Sequence, residues 1–199
     1  MTQREEDEPS RGREVQRLRR LERLFVSHPL YFVTTCTEDR KPILANGRVH
    51  EDFQRYCRVG LERGVFVGKY VLMPDHLHLF VAFGDEYLSS LAGNREDHQI
   101  RTDITGGRAV AAVYDRRISL LSDWVKILKN SLSKTFRSQN IPAPHWQKGF
   151  FDRVMRTEES YCEKWLYVAE NPVRKKLVAY PQDWPFQGEI YPLEARGHG

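Results

Sequence analysis

Residues 71–81 read VLMPDHLHLFV. Met73-Pro74-Asp75 is a turn signal between two β-rich runs, VFVGKYVL (65–72) and HLHLFVAF (76–83). The segment therefore predicts strand, tight turn, strand. One feature does not suit an ordinary strand. His76 and His78 stand one residue apart, and successive strand side chains point to opposite faces, so both imidazoles share one face while Leu77 and Leu79 share the other. Such a pair is either packing or a preformed half of a metal site. H-x-H alone is too short a pattern to decide.

Outward from this hairpin, LYFVTTCT (30–37) is β-branched and aromatic and predicts a strand. Residues 46–64 open with an Asn cap, carry Val49, Phe53, Cys57 and Leu61 at helical spacing, and close on Gly64. Residues 119–138 predict an amphipathic helix with Leu121, Trp124, Val125, Leu128, Leu132 and Phe136 as its apolar stripe. GFFDRVMR (149–156) predicts another strand. A last helix runs from a Thr157 cap to about Glu170, where Asn171-Pro172 resists its continuation. Residues 84–118 are polar, contain Gly106-Gly107 and show no clear period, so they are expected to form a long loop. The order β-α-β-β-α-β-α predicts an α+β sandwich with an antiparallel sheet. Residues 1–27 read as a basic helical extension, 28–190 as the domain, and 191–199 as a tail.

The chain has 199 residues, 40% apolar, enough for one domain with extensions. No apolar run approaches a membrane span, and MTQREEDEPSRGR is not a hydrophobic signal segment. Cys36, Cys57 and Cys162 are widely spaced and odd in number, which predicts reduced thiols in a cytoplasmic protein. The net charge is +4, unevenly placed. Residues 10–23 carry six Arg against two Glu, and residues 124–156 carry seven Lys or Arg against Asp152 alone. Such patches suit a polyanion, nucleic acid first, or form a solvated helix face.

At about 100° per residue, Tyr161, Cys162, Trp165, Leu166, Val168 and Ala169 of the last helix form one arc, the expected buried face. Tyr167 falls nearly opposite, flanked by Glu163, Lys164, Glu170 and Asn171. Core packing therefore explains Tyr161 and not Tyr167, although exposed tyrosines are common. A phenol with a pKa near ~10 is a poor nucleophile until a base or cation helps it. An ion held by two histidines could polarise a phosphodiester oxygen and stabilise the charge that develops there. Mg²⁺ prefers oxygen ligands and Mn²⁺ tolerates imidazole better. Zinc would want a third strong ligand, for which His145 is the nearest candidate. Attack by Tyr167 would conserve the energy of the broken bond in a phosphotyrosine, and Asn171, four residues on, lies beside Tyr167 and could lend an amide oxygen as third metal ligand.

Four stretches, VLMPDHLHLFV, WQKGFFDRVMRTEESY, WLYVAENPVRKKLV and DWPFQGE, come in the order and spacing of the IS200/IS605-type Y1 transposases of the HUH superfamily. The chain resembles most their REP-associated tyrosine transposase branch, over about residues 28–190. The resemblance implies a ferredoxin-like two-layer α+β sandwich with helices packed on an antiparallel sheet. It implies that His76 and His78 hold a divalent metal, Mg²⁺ or Mn²⁺, and that Tyr167 is the nucleophile. The substrate implied is single-stranded DNA folded into hairpins, cleaved to a 5′-phosphotyrosine and a free 3′-OH by a monomer or homodimer. Insertion-sequence enzymes carry Gln four residues after the tyrosine where this chain has Asn171, as the REP branch tends to.

Lys126, Lys129, Arg153 and Arg156 are the candidates for DNA phosphate contacts. Trp146 and Phe150 could stack on unpaired bases or pack in the core. The rivals are weaker. A hairpin-binding protein of the same fold that has lost catalysis would not need His76, His78 and Tyr167 intact. A rolling-circle initiator would not carry the NPVR and DWPF motifs. A two-histidine phosphoesterase would need a second histidine motif, and the other histidines are scattered.

Overall fold

The computed structural model describes residues 29–84, 87 and 108–193. The expected extension at 1–27, the tail from 194 and most of the 84–118 segment lie outside the described residues. The elements are β1 (Leu30–Cys36), α1 (Gly47–Leu61), β2 (Val65–Leu72), β3 (His76–Phe83), α2 (Arg108–Ser138), β4 (Phe151–Met155), α3 (Glu158–Ala169), a single-turn α4 (Asn171–Arg174) and β5 (Gln187–Glu189). The fold is α+β, with a five-stranded antiparallel sheet in the order β4-β1-β3-β2-β5.

Alternation along each strand divides the core in two. One face of the sheet gives Tyr31, Val33, Leu77, Leu79 and Val81 to α1 and α2, through Phe53, Trp124, Leu128 and Phe136. The other gives Phe32, Phe80, Ala82 and Met155 to α3, through Tyr161 and Val168, and to Trp184 and Leu193. Asn46 caps α1 by accepting from Val49 N, and Thr157 and Ser160 cap α3 reciprocally. Between α1 and α2 the Thr135 hydroxyl donates to buried Asp52 at 2.6 Å.

Three features differ from expectation. Helix α2 starts at Arg108, so residues 108–118 belong to it and not to a loop. Helix α3 meets the sheet along a narrower seam than its apolar arc suggests. Tyr161 and Val168 are buried and Trp165 half-buried, an i, i+4, i+7 stripe, whereas Cys162 and Leu166 are exposed. One flat sheet can cover only one stripe of a cylinder.

The third is β5, a strand that the DWPFQGE segment adds to the β2 edge. Trp184 Nε1 donates to Leu72 O at 2.9 Å, Leu72 N donates to Phe186 O, and Gln187–Glu189 pairs with Lys69–Val71. Trp184 is 8% exposed. Trp184→Ala removes that packing and leaves the Leu72 carbonyl unpaired, so a urea titration should show a loss of about 3–5 kcal/mol.

Candidate active site

The Pro74 turn fixes where β3 begins. Asp75 O accepts from both the backbone N and the hydroxyl of Thr37, Pro74 O accepts from Leu44 N, and Met73 N closes the turn on His76 O. His76 and His78 then share the α3 side of the sheet with Phe32 and Phe80. Their rings meet edge to face with centroids 4.7 Å apart. Both are half-buried, neither sealed in the core nor free in solvent.

Each ring has one nitrogen already engaged. His76 Nδ1 lies 2.7 Å from Asp75 Oδ1, and Arg40 pairs with the other Asp75 oxygen at 3.3 Å. His78 Nδ1 lies 2.8 Å from Thr34 Oγ1, its register partner on β1. With Nδ1–H donating to these oxygens, the Nε2 lone pairs are left for a ligand, the arrangement by which supporting residues fix metal-binding histidines. Burial holds both imidazoles neutral. His78 is lowered to about 3 by burial, by the neighbouring His76, and by Lys164, Arg174 and Arg40; His76 is lowered by burial against the opposing pull of Asp75. Neutral imidazole is the form that ligates. Thr34→Val should weaken Mn²⁺ binding about 10–100-fold, read by calorimetry, with the fold intact.

Tyr167 is 59% exposed and Tyr161 1%. A contiguous path joins Tyr167 to the histidines. Phe32 stacks on His78 with centroids 5.4 Å apart, and Lys164 Nζ lies 5.2 Å from the Phe32 ring and 5.3 Å from that of Tyr167. On the other side Arg174 folds back from α4. Its guanidinium carbon is 4.2 Å from the Tyr167 ring centroid, and its Nη2 donates to Tyr167 O and to Asn171 Oδ1. Asn171, expected as a third metal ligand, has its amide oxygen on Arg174 here.

The other candidates are split between the two sides of the sheet. Arg153, register partner of Phe32, belongs to the histidine face. Arg153 and Arg156 are exposed and line a cavity of about 380 Å³ with Asp152, Thr157 and Ser160. Lys126 is exposed on α2, across the sheet from the histidines. Lys129 donates to Gln147 O and Gly149 O, and burial lowers its pKa. Trp146 donates to Lys129 O and Ser133 Oγ, and with Phe150 it packs against the α1–α2 side of the core. His145 is buried, bonded through Nε2 to Ile141 O and packed on Phe136, away from the histidine pair. Among the described residues, no three His, Cys, Asp or Glu side chains are placed to hold one ion.

Sequence reasoning missed Phe151. It is 60% exposed and is the register partner of Thr34, which places it on the histidine face at the sheet edge. The doublet Phe150-Phe151 could have signalled that one ring points each way. Asp75 and Thr34 were missed as well. Asp75 directly precedes His76 and was legible; Thr34 needed the register.

No protein-family model matches the sequence. A protein of Haemophilus influenzae described as "Putative REP-associated tyrosine transposase" is 23% identical over 181 residues, spanning 87% of this chain and 91% of that one. The chain is similar to the REP-associated tyrosine transposases. Among solved structures, a REP-associated tyrosine transposase bound to a REP hairpin aligns over 85% of this chain and 86% of its own, with 17% identity and a TM-score of 0.47. A Deinococcus radiodurans protein described as a putative transposase aligns over 70% and 87%, with 16% identity and a TM-score of 0.39. No helix among the described residues is long and apolar enough to cross a membrane.

Proposed function

We propose that this protein is a metal-dependent, single-stranded DNA endonuclease and strand transferase that acts on hairpin DNA through a 5′-phosphotyrosine on Tyr167. The observation that carries this reading is the joint placement of two neutral histidines, each with its Nδ1 engaged, and an exposed tyrosine linked to them through Phe32 and Lys164. The donor set fits a divalent ion. Nε2 of His76 and of His78, with the Asn171 amide, would hold Mn²⁺ or Mg²⁺, which when bound neutralises charge on a phosphodiester oxygen.

The chain's own residues do the rest. The Tyr167 oxygen attacks phosphorus and forms the P–O bond. The P–O3′ bond breaks, its electron pair stays on O3′, and the phenolic proton is balanced by the proton that the 3′-OH takes up. Lys164 adds positive charge beside both the phenol and Phe32. Reversal with another 3′-OH rejoins DNA without a nucleotide cofactor. Arg153 and Arg156, exposed beside Thr157 and Ser160 of α3, would hold the DNA backbone, and Phe151 would offer a face on which an unpaired base can stack.

The test uses a single-stranded oligonucleotide with a palindromic hairpin, Mn²⁺ and denaturing electrophoresis. A protein–DNA band that resists SDS and is prevented by EDTA is the expected result. Hydrolysed DNA with no adduct would overturn the reading.

A further inference from the structure

The proposed chemistry uses Tyr167, but the structure gives Tyr167 a close companion that this chemistry does not require. Arg174 follows the tyrosine by seven residues and sits in the NPVR turn, where α4 restarts the chain after Pro172. Its backbone N donates to Glu170 O at 2.9 Å, which turns the side chain back along the end of α3. From there Nη2 donates to Tyr167 O at 2.5 Å and to Asn171 Oδ1. The guanidinium also lies over the Tyr167 ring, 4.2 Å from its centroid.

A helix-capping role explains the bond to Tyr167 O, because the last carbonyls of a helix lack partners and favour positive charge. It does not explain the stack on the ring or the hold on the Asn171 amide. Nor does it use the whole side chain. A guanidinium has five N–H donors in a planar fork, and the bonds found here are from Nη2. Nε and Nη1 meet no acceptor among the described residues. These free donors belong to a group anchored at two points beside the phenol. Always charged and held in place, it is suited to donate to a phosphate oxygen.

We propose that Arg174 both positions Tyr167 and contacts the scissile phosphate, its Nη2 holding the tyrosine and its Nη1 donating to a non-bridging oxygen. The inference rests on Tyr167 as nucleophile. It makes Arg174 a catalytic residue through the phosphate and a positioning residue through the ring.

The test is single-turnover adduct formation on the hairpin oligonucleotide with Mn²⁺, alongside hairpin affinity measured without metal. Arg174→Gln should slow adduct formation about 100-fold, the scale for loss of one charge-stabilising donor, and change affinity less than threefold. Millimolar guanidinium ion should restore at least tenfold of the lost rate, which a purely structural cap would not allow. Arg174→Lys keeps the charge and can still reach Tyr167 O but lacks the fork. It should fold like the wild type by circular dichroism and lose about tenfold, and it carries the test if the Gln variant is unfolded. Wild-type rates in the variants, or a loss that appears wholly as weaker DNA binding, would overturn the role of Arg174 and leave Tyr167 as nucleophile. Absence of any adduct with the unaltered protein would overturn both.

Discussion

Tyr167→Phe should leave no SDS-resistant adduct, whereas Tyr161→Phe should form adduct to the wild-type extent. The two substitutions delete the same atom from the same helix, so the difference isolates position. In Tyr167→Phe the oxygen that bonds to phosphorus in the proposed reaction is gone. The effect is loss, not slowing. Stability cannot account for it, because Tyr167 is 59% exposed and phenylalanine keeps the ring on which Arg174 and Lys164 lie. Tyr161 is 1% exposed with its ring edge-on to Phe80, centroids 4.7 Å apart. Phenylalanine preserves that contact, and loss of one hydroxyl costs on the order of 1 kcal/mol. Electrophoresis of labelled hairpin DNA reads both variants. An adduct that survives Tyr167→Phe moves the nucleophile elsewhere.

Sequence alone could tell the buried tyrosine from the exposed one because that difference is one of helix phase. Phase depends on local spacing, and Tyr167 lies about 120° around α3 from Tyr161, opposite the centre of the apolar arc, whatever the helix packs against. The histidine face was legible for the same reason, since strand alternation places His76 and His78 together. What was not legible depends on contacts between distant segments. Thr34 supports His78 because β1 pairs with β3 in one register, 44 residues apart in sequence. Lys129, a DNA candidate by charge, and Trp146, read as stacking on bases or packing in the core, have polar atoms that meet the Gln147, Gly149 and Lys129 carbonyls and the Ser133 hydroxyl, contacts that only the folded chain shows. Arg174 read as one basic residue in VRKK. Only the break at Pro172 turns it back onto Tyr167, and no periodicity encodes that turn.

His78→Leu should abolish Mn²⁺ binding and adduct formation while leaving the fold intact. Leucine suits the site because His78 stacks on Phe32 beside the apolar cluster of Phe80 and Tyr161. The lost ligand should cost more than the 10–100-fold expected for a supporting residue such as Thr34. Calorimetric titration with Mn²⁺ reads this without DNA, and unchanged binding would remove the histidine pair from the metal site. The same variant has a pH signature in the metal-free protein. His78 has a folded pKa of about 3 against 6.5 for the unfolded chain. Between those values the unfolded chain binds more protons, so stability is fully present above pH 6.5 and falls as the pH drops towards 3. Leucine does not titrate. The loss of stability from pH 7 to pH 4.5, measured by urea midpoints, should therefore be smaller in His78→Leu, with slope retained from His76 and His50, which burial also lowers, and from Asp75. An identical slope in both proteins would mean that the His78 ring is not held neutral by its surroundings. The physical basis for its readiness to bind an ion near neutral pH would then be gone.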